Sequence, residues 1–364
     1  MWTFYNPVDV HAGSGSVETL PRLLGRRRAV LITFPEAQAL GLVDHVRGLL
    51  GDRLAGVETD VLPNPDVSWL APMYERLWRD HADVDCIVAL GGGSVIDCAK
   101  VMLTRSGDGG FGELLALLEG TAHPVSSAGG HRRLLAIPTT AGTGSEVTPW
   151  ATVWDQARKR KLSLHLPWTW PEAAIVDADL MLTLPQATTL ASGLDALSHA
   201  LESLWNIHRN PVSASLAISA VRSIVETLPE LLSAPQRSDL RERLATAALQ
   251  AGLAFSNTRT ALAHSLSYDI TLRHGTPHGI ACSFSLPRIM QLAAGRDPAL
   301  DALLLSAFGA RDMDEAVALL SAFLEGLGVS IDPSAYGIAA AEWNERIGQA
   351  MAGARGRNFI AAAV

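Results

Sequence analysis

Cysteine is scarce in this 364-residue chain: Cys86, Cys98 and Cys282 are the full set, an odd number with no CxxC spacing. That count argues against a disulfide framework and for a reducing compartment. No apolar run reaches the ~18 residues that a bilayer-spanning helix needs. The opening stretch MWTFYNPVDVHAG lacks a charged-then-apolar signal pattern, so a cytoplasmic protein is expected. Positive charge is not in excess either. With a net charge of −8 and a pI near 5.8, nothing favours nucleic acid or an anionic membrane surface as partner. The short cluster Arg26-Arg27-Arg28 precedes a strand-like run and reads as a solvated strand entry. Internal repeats and low-complexity linkers are missing too.

What is present is apolar. Hydrophobic residues make up 48% and charged residues 18% of the chain, and the mean hydropathy is +0.18, which describes a well-buried globular protein. The length allows two domains with full cores.

From the N-terminus to about residue 180, short β-branched apolar runs alternate with helical patterns. A short strand and a helix over Val17–Leu24 come first. The strand 29–33 is followed by a helix from about Glu36 to Leu50, and a strand over Val57–Val61 precedes a turn at Asn64-Pro65 and a helix over Val67–Asp80. The strand Asp85–Leu90 runs into a helix over Val95–Thr104, and Leu134–Pro138 is a further strand. Thr152–Asp155 and Lys161–His165 read as a β excursion, and Ala174–Asp177 as the last strand. The alternation implies an α/β domain with a parallel, Rossmann-like sheet covered by helices on both faces. From Leu184-Pro185 onward the periodicity is helical, so residues 1–182 are assigned to the α/β domain and 183–364 to an all-helical one.

Two loops and four side chains carry the chemistry. The strand ending at Leu90 runs into Gly91-Gly92-Gly93-Ser94 and then a helix. Such glycines let backbone N–H groups approach an anion at the positive end of a helix. A tight turn that binds nothing is the plain alternative, because GGGS is not the GxGxxG fingerprint. The second loop, TTAGTGSE from Thr139, places hydroxyls and glycines at the C-terminal end of another strand, where open α/β sheets bind ligands. In the second half, Asp195 and His199 are four apart in an Ala/Leu-rich run, so both side chains leave one helix face. His264 and His278 follow in HSLSYDITLRHGTPHG. One carboxylate and three imidazoles, with no thiolate, suit iron(II); zinc, nickel and cobalt are also open by ligand type. A histidine on an apolar helix face is otherwise an ordinary core residue.

The segments GGGSVIDCAK, IPTTAGTGSEVTPWATV with Lys161 downstream, AIVDADLMLTLP, GLDALSHALES and HGTPHGIACSFSLP, in this order, resemble the iron-containing (group III) alcohol dehydrogenase family over nearly the whole chain. The resemblance implies an N-terminal dinucleotide-binding domain and a helical C-terminal domain, with metal and substrate in the cleft between them. It also implies that Asp195, His199, His264 and His278 bind the metal and carry catalysis. Gly92, Gly93 and Ser94 correspond to the pyrophosphate loop, and Thr139, Thr140, Thr143 and Lys161 to positions that contact the nicotinamide cofactor. A homodimer is expected.

Departures from the family pattern bear on substrate. Tyr268 stands where many members have a second histidine; it could hydrogen-bond substrate, relay a proton or simply pack. Arg259 stands where alcohol-oxidising relatives have a small residue. A guanidinium there suits an anionic substrate group, though a surface arginine ending a helix is the plainer reading. A basic residue followed by TxxxHxxSY before a PHG loop resembles the family's phosphonoacetaldehyde reductase branch. The expected reaction is therefore reduction of phosphonoacetaldehyde to 2-hydroxyethylphosphonate. The alternatives are a general iron-dependent alcohol dehydrogenase on uncharged short-chain aldehydes and a maleylacetate reductase-like enzyme. A dehydroquinate synthase-like lyase and a nucleotide-binding protein with a degenerate site fit the motifs less well. The segment Ile32-Thr33-Phe34-Pro35 has no carboxylate before Glu36 to repel a 2′-phosphate, so NADPH is favoured over NADH.

Overall fold

The computed structural model describes residues 1–107, 109–121 and 132–362. It separates into two compact units. An α/β unit comprises Pro7–Thr140 and Ser145–Thr183, and a helical unit comprises Leu184–Val364 with Met1–Asn6 and Ala141–Gly144.

The α/β unit holds strands β1 (Asp9–Ala12), β2 (Ala29–Thr33), β3 (Leu54–Glu58), β4 (Cys86–Gly91), β5 (Arg133–Pro138), β6 (Trp150–Asp155), β7 (Arg160–His165) and β8 (Ala173–Val176). Helices α1 (Leu20–Leu24), α2 (Leu42–Leu50), α3 (Val67–Asp80), α4 (Gly93–Val101) and α5 (Gly112–Leu118) connect them. Six strands form one parallel sheet in the order β1-β8-β5-β4-β2-β3, and β6 and β7 form a separate antiparallel pair. The inner strands β2, β4 and β8 are buried along their whole length. That burial explains why they read as unbroken apolar runs instead of alternating ones. One core layer packs Leu70, Leu77 and Ile96 against one face of the sheet, and a second packs Leu20, Leu24 and Val46 against the other.

Three expectations shift. The helix expected over 36–50 is a 3-10 turn (Pro35–Ala37) followed by α2, because Gly41 adopts a left-handed conformation with φ 75° and ends any continuous helix there. The strand expected at 57–61 is β3, three residues earlier. It is an edge strand, half-buried throughout, and its register is set by pairing with β2. The helix after Gly92 begins at Gly93 and ends at Val101, two residues earlier at its start and three at its end than the periodicity suggests.

The helical unit contains α6 (Gln186–Leu204), α7 (Pro211–Ser233), α8 (Ser238–Thr258), α9 (Leu262–His274), α10 (His278–Ser283), α11 (Leu286–Ala293), α12 (Pro298–Phe308), α13 (Met313–Gly326) and α14 (Ala340–Ala352). Asn210 caps α7 through a capping box with Ser213, and Pro211 occupies the first helical position, where its missing N–H costs nothing. Helix α6 is almost wholly buried from Gly193 to Leu204, so any polar side chain on that stretch must find a partner or a ligand. Among the described residues no helix is long and apolar enough to cross a membrane.

Candidate active site

Helix α6 presents Asp195, His199 and Glu202 at i, i+4 and i+7, one face of the helix. Helix α10 lies directly against it. A Cβ on Gly279 would sit 1.8 Å from the carbonyl oxygen of Ala191, so only glycine permits this approach, and the approach brings His278 over Asp195. His278 Nε2 and His199 Nε2 each lie 3.9 Å from Asp195 Oδ1, and His264 Nε2 lies 3.4 Å from the same oxygen. The ring of His199 stacks between His264, with centroids 4.5 Å apart, and Phe255, at 4.1 Å. The four residues expected to converge do so around one carboxylate oxygen.

Two further side chains enter this cluster that the sequence reading did not assign. Cys282 Sγ belongs to a group with the donor atoms of Asp195, His264 and His278, all within 4.8 Å of one another. The expected donor set holds no sulfur, whereas α10 carries Cys282 one turn after His278, on the same face, and so places a thiol beside that set. The other is Glu202, fully buried. Its carboxylate accepts from the backbone N–H groups of Ala261 (2.8 Å), Ala263 (2.6 Å) and His264 (3.2 Å), and from His264 Nδ1 at 2.7 Å. A carboxylate on Nδ1 fixes the tautomer and turns Nε2 toward Asp195. The i+7 spacing from Asp195 was the available signal for Glu202, and the i+4 spacing from His278 was the one for Cys282.

The electrostatics follow from burial and close partners. Burial alone would raise the Asp195 carboxyl, but its interactions with the His199, His264 and His278 rings outweigh burial and hold it well below the usual carboxylate range. Burial pushes His199 down to about 4 despite Asp195, so its imidazole is neutral and its lone pair available. Burial opposes charge on His264, yet Cys282, Glu202 and Asp195 together raise it well above the usual histidine range. Asp195 Oδ1 and His264 Nε2 are buried without a hydrogen-bond partner among the described residues. A buried anionic oxygen and an unused ring nitrogen, flanked by two more imidazoles and a thiol, form an oxygen–nitrogen–sulfur donor set. These residues fit a divalent transition metal.

The other expected residues divide between the units. In the α/β unit, Gly92 caps α4, and a Cβ on it would meet Thr140 Cγ2 at 3.2 Å, so the loops after β4 and β5 touch. Gly93 opens α4. Ser94 Oγ accepts from the backbone N–H of Asn64. The strand order reverses between β2 and β4, and open sheets bind ligands at the carboxyl ends of such a pair. Thr139 follows β5 directly and is buried. The buried Lys100, whose ammonium is lowered to about 8 by desolvation, donates to the carbonyls of Ser145 and Trp150 at 2.7 Å, which anchors the exit of the TTAGTGSE loop to α4. Lys161 projects from β7 with its ammonium 5.6 Å from the Trp154 ring. Glu36, the first carboxylate after β2, is exposed.

In the helical unit, Thr143 lies in the short Ala141–Gly144 piece. Cβ atoms on its neighbours Gly142 and Gly144 would strike Ser192 and Gly252, which shows how tightly that piece packs. Tyr268 stacks parallel to His278 at 5.9 Å, and the Arg355 guanidinium sits 4.9 Å from its ring. Arg259 ends α8 at φ 68°, ψ 173°, a region of backbone that is essentially reserved for glycine. Its main chain is fixed there by Phe255, whose carbonyl accepts from Arg259 N, and by Asn206 Nδ2, which donates to the Arg259 carbonyl. Its side chain is exposed, and its guanidinium has no partner among the described residues.

Comparison with known proteins agrees with this architecture. Residues 7–178 match the profile for iron-containing alcohol dehydrogenase, and residues 189–362 match that for the Fe-containing alcohol dehydrogenase family, C-terminal. The chain is 32% identical to the NAD-dependent methanol dehydrogenase of Bacillus methanolicus, over 79% of this chain and 75% of that one. It is 36% identical to the phosphonoacetaldehyde reductase of Streptomyces viridochromogenes, over 61% of this chain and 56% of that one. Its fold is like that of the sulfoacetaldehyde reductase from Bifidobacterium kashiwanohense solved with NAD+, with a TM-score of 0.88, 24% identity and coverage of 99% and 94% of the two chains. The chain belongs to the iron-containing alcohol dehydrogenase family and is an oxidoreductase of the NAD(P)-dependent alcohol dehydrogenase type.

Proposed function

We propose that this chain is a metal-dependent, NADPH-linked reductase of a small anionic aldehyde, phosphonoacetaldehyde, which it converts to 2-hydroxyethylphosphonate. The observation that carries the metal-dependent part is the convergence of His199, His264 and His278 on the buried Asp195 Oδ1. Iron(II) is the proposed resident ion, with zinc second. The substrate is supported by the exposed, unpartnered guanidinium of Arg259 and by the likeness to a relative named for phosphonoacetaldehyde.

In this reading residues 1–182 bind the dinucleotide and 183–364 bind metal and substrate. Gly92, Gly93 and Ser94 receive the pyrophosphate at the start of α4, and Thr139, Thr140, Thr143 and Lys161 contact the rest of the cofactor. The absence of a carboxylate at Phe34 and Pro35 leaves space for a 2′-phosphate. Asp195, His199, His264 and His278 hold the ion; Glu202 keeps the Nδ1 proton of His264 in place so that Nε2 faces inward. When bound, the ion supplies Lewis acidity toward the substrate carbonyl. A bound nicotinamide would supply the hydride to the carbonyl carbon as the C=O π pair goes to oxygen, and that oxygen would take its proton from water. Tyr268 braces the His278 ring by stacking. The Arg259 guanidinium pairs with the phosphonate and so orients the aldehyde.

The test compares NADPH consumption by iron(II)-loaded protein on phosphonoacetaldehyde, propionaldehyde and maleylacetate at matched concentration. A charge-assisted contact is worth ~1.5–3 kcal/mol, so kcat/KM should favour the phosphonate over propionaldehyde by about 10- to 100-fold. Arg259→Gly should erase that preference and, by relieving the backbone, stabilise the fold by about 1 kcal/mol. Equal rates on phosphonate and propionaldehyde would return the chain to general alcohol dehydrogenases. A preference that survives Arg259→Gly would remove Arg259 from the substrate site.

A further inference from the structure

Cys282 sits within the donor cluster, although the carboxylate–imidazole set proposed above makes no use of it. It is wholly buried, and its Sγ lies 3.6 Å from His278 Nε2 and 3.8 Å from His278 Nδ1. The close approach of α10 to α6 that Gly279 permits carries both side chains toward Asp195 together. The donor atoms of Asp195, His264, His278 and Cys282 lie within 4.8 Å of one another, a span that a single ion can bridge. Independently of the sulfur, Asp195 Oδ1 and His264 Nε2 are buried without hydrogen-bond partners among the described residues, which leaves polar atoms aimed at the same point. The other two cysteines are differently placed. Cys86 packs within one apolar layer on the sheet and Cys98 within the other, against Met73.

We propose that Cys282 Sγ is a further direct donor to the divalent ion, added to Asp195, His199, His264 and His278; this inference rests on the metal reading above. On binding, a sulfur–metal bond forms and the thiol proton leaves to solvent, because a coordinating thiol is deprotonated outright. A thiolate makes the set softer than one carboxylate and three imidazoles. It shifts preference toward zinc and cobalt and away from oxygen-seeking ions such as magnesium and manganese. The chain would then be a family member that selects its metal partly through sulfur.

The test reads coordination and not turnover. Metal-stripped wild-type protein is loaded with one equivalent of cobalt(II), and its near-ultraviolet absorption is recorded beside that of Cys282→Ser. The wild type should show a thiolate-to-cobalt charge-transfer band, and Cys282→Ser should lose it while still holding one cobalt per chain. Zinc-loaded wild type, examined by X-ray absorption, should show one sulfur neighbour at ~2.3 Å; this arm needs no variant. Cobalt or zinc bound with no sulfur neighbour would overturn this inference and leave the metal reading standing. A charge-transfer band that survives in Cys282→Ser would also overturn it. Failure of the wild type to bind either ion would overturn both.

Discussion

Replacing His264 with alanine should leave a folded chain that holds no metal and reduces aldehyde about a thousandfold more slowly, a loss of several kcal/mol of transition-state stabilisation. His264 Nε2 is buried and meets no hydrogen-bond partner among the described residues, so its removal strips a proposed ligand without breaking a hydrogen bond there. On the opposite side of the ring, Glu202 would lose its contact with Nδ1 but keep three backbone N–H donors. The buried carboxylate therefore stays satisfied, and the fold should survive. Elemental analysis, circular dichroism and steady-state kinetics on the same preparation check the three parts. A variant that retains a full equivalent of metal and full turnover would remove His264 from the site. A variant that unfolds would make the ring a packing element.

Glu202→Gln should have the next largest effect, although Glu202 touches neither substrate nor metal. Its carboxylate is surrounded by four N–H donors and can accept from all of them. The isosteric amide has one oxygen and an NH2 group that must face a donor, so one contact becomes repulsive. A buried donor or acceptor left unsatisfied costs about 1–3 kcal/mol, which sets the expected loss of stability. With the Nδ1 proton of His264 no longer held, metal affinity should fall by about 10- to 100-fold. Competition against a chromophoric chelator measures the affinity and thermal melting measures the fold. Lower stability with unchanged affinity would confine Glu202 to a structural role in the turn before α9.

The sequence makes the inner sheet legible because full burial writes a simple pattern. Strands β2, β4, β5 and β8 lie within a residue of their expected places, since continuous apolar runs leave little choice. The misplacements fall where local pattern and tertiary context part. The edge strand β3 carries a half-buried pattern without clear contrast, and the helix expected from 36 is interrupted by one left-handed glycine, Gly41. In the site, Asp195 and His199 are legible by helical spacing, whereas the residue types alone make the arrival of His264 and His278 beside them one option among several, and the family resemblance implies it. Glu202 and Cys282 were overlooked for opposite reasons. A glutamate near the end of a long helix looks like solvated surface until its burial is known. A single cysteine four residues after a histidine carries no motif until α10 is seen pressed against α6. Arg259 was singled out for its charge, but its unusual backbone at φ 68° is visible only in the structure.

The most direct measurement strips the protein with a chelator, restores iron(II) anaerobically in steps, and follows NADPH consumption on phosphonoacetaldehyde at each step. The account predicts negligible rate in the stripped protein and a linear rise that saturates at one iron per chain. Full turnover in the stripped protein, or a rate indifferent to added metal, would contradict the claim that the cluster around Asp195 is a catalytic metal centre.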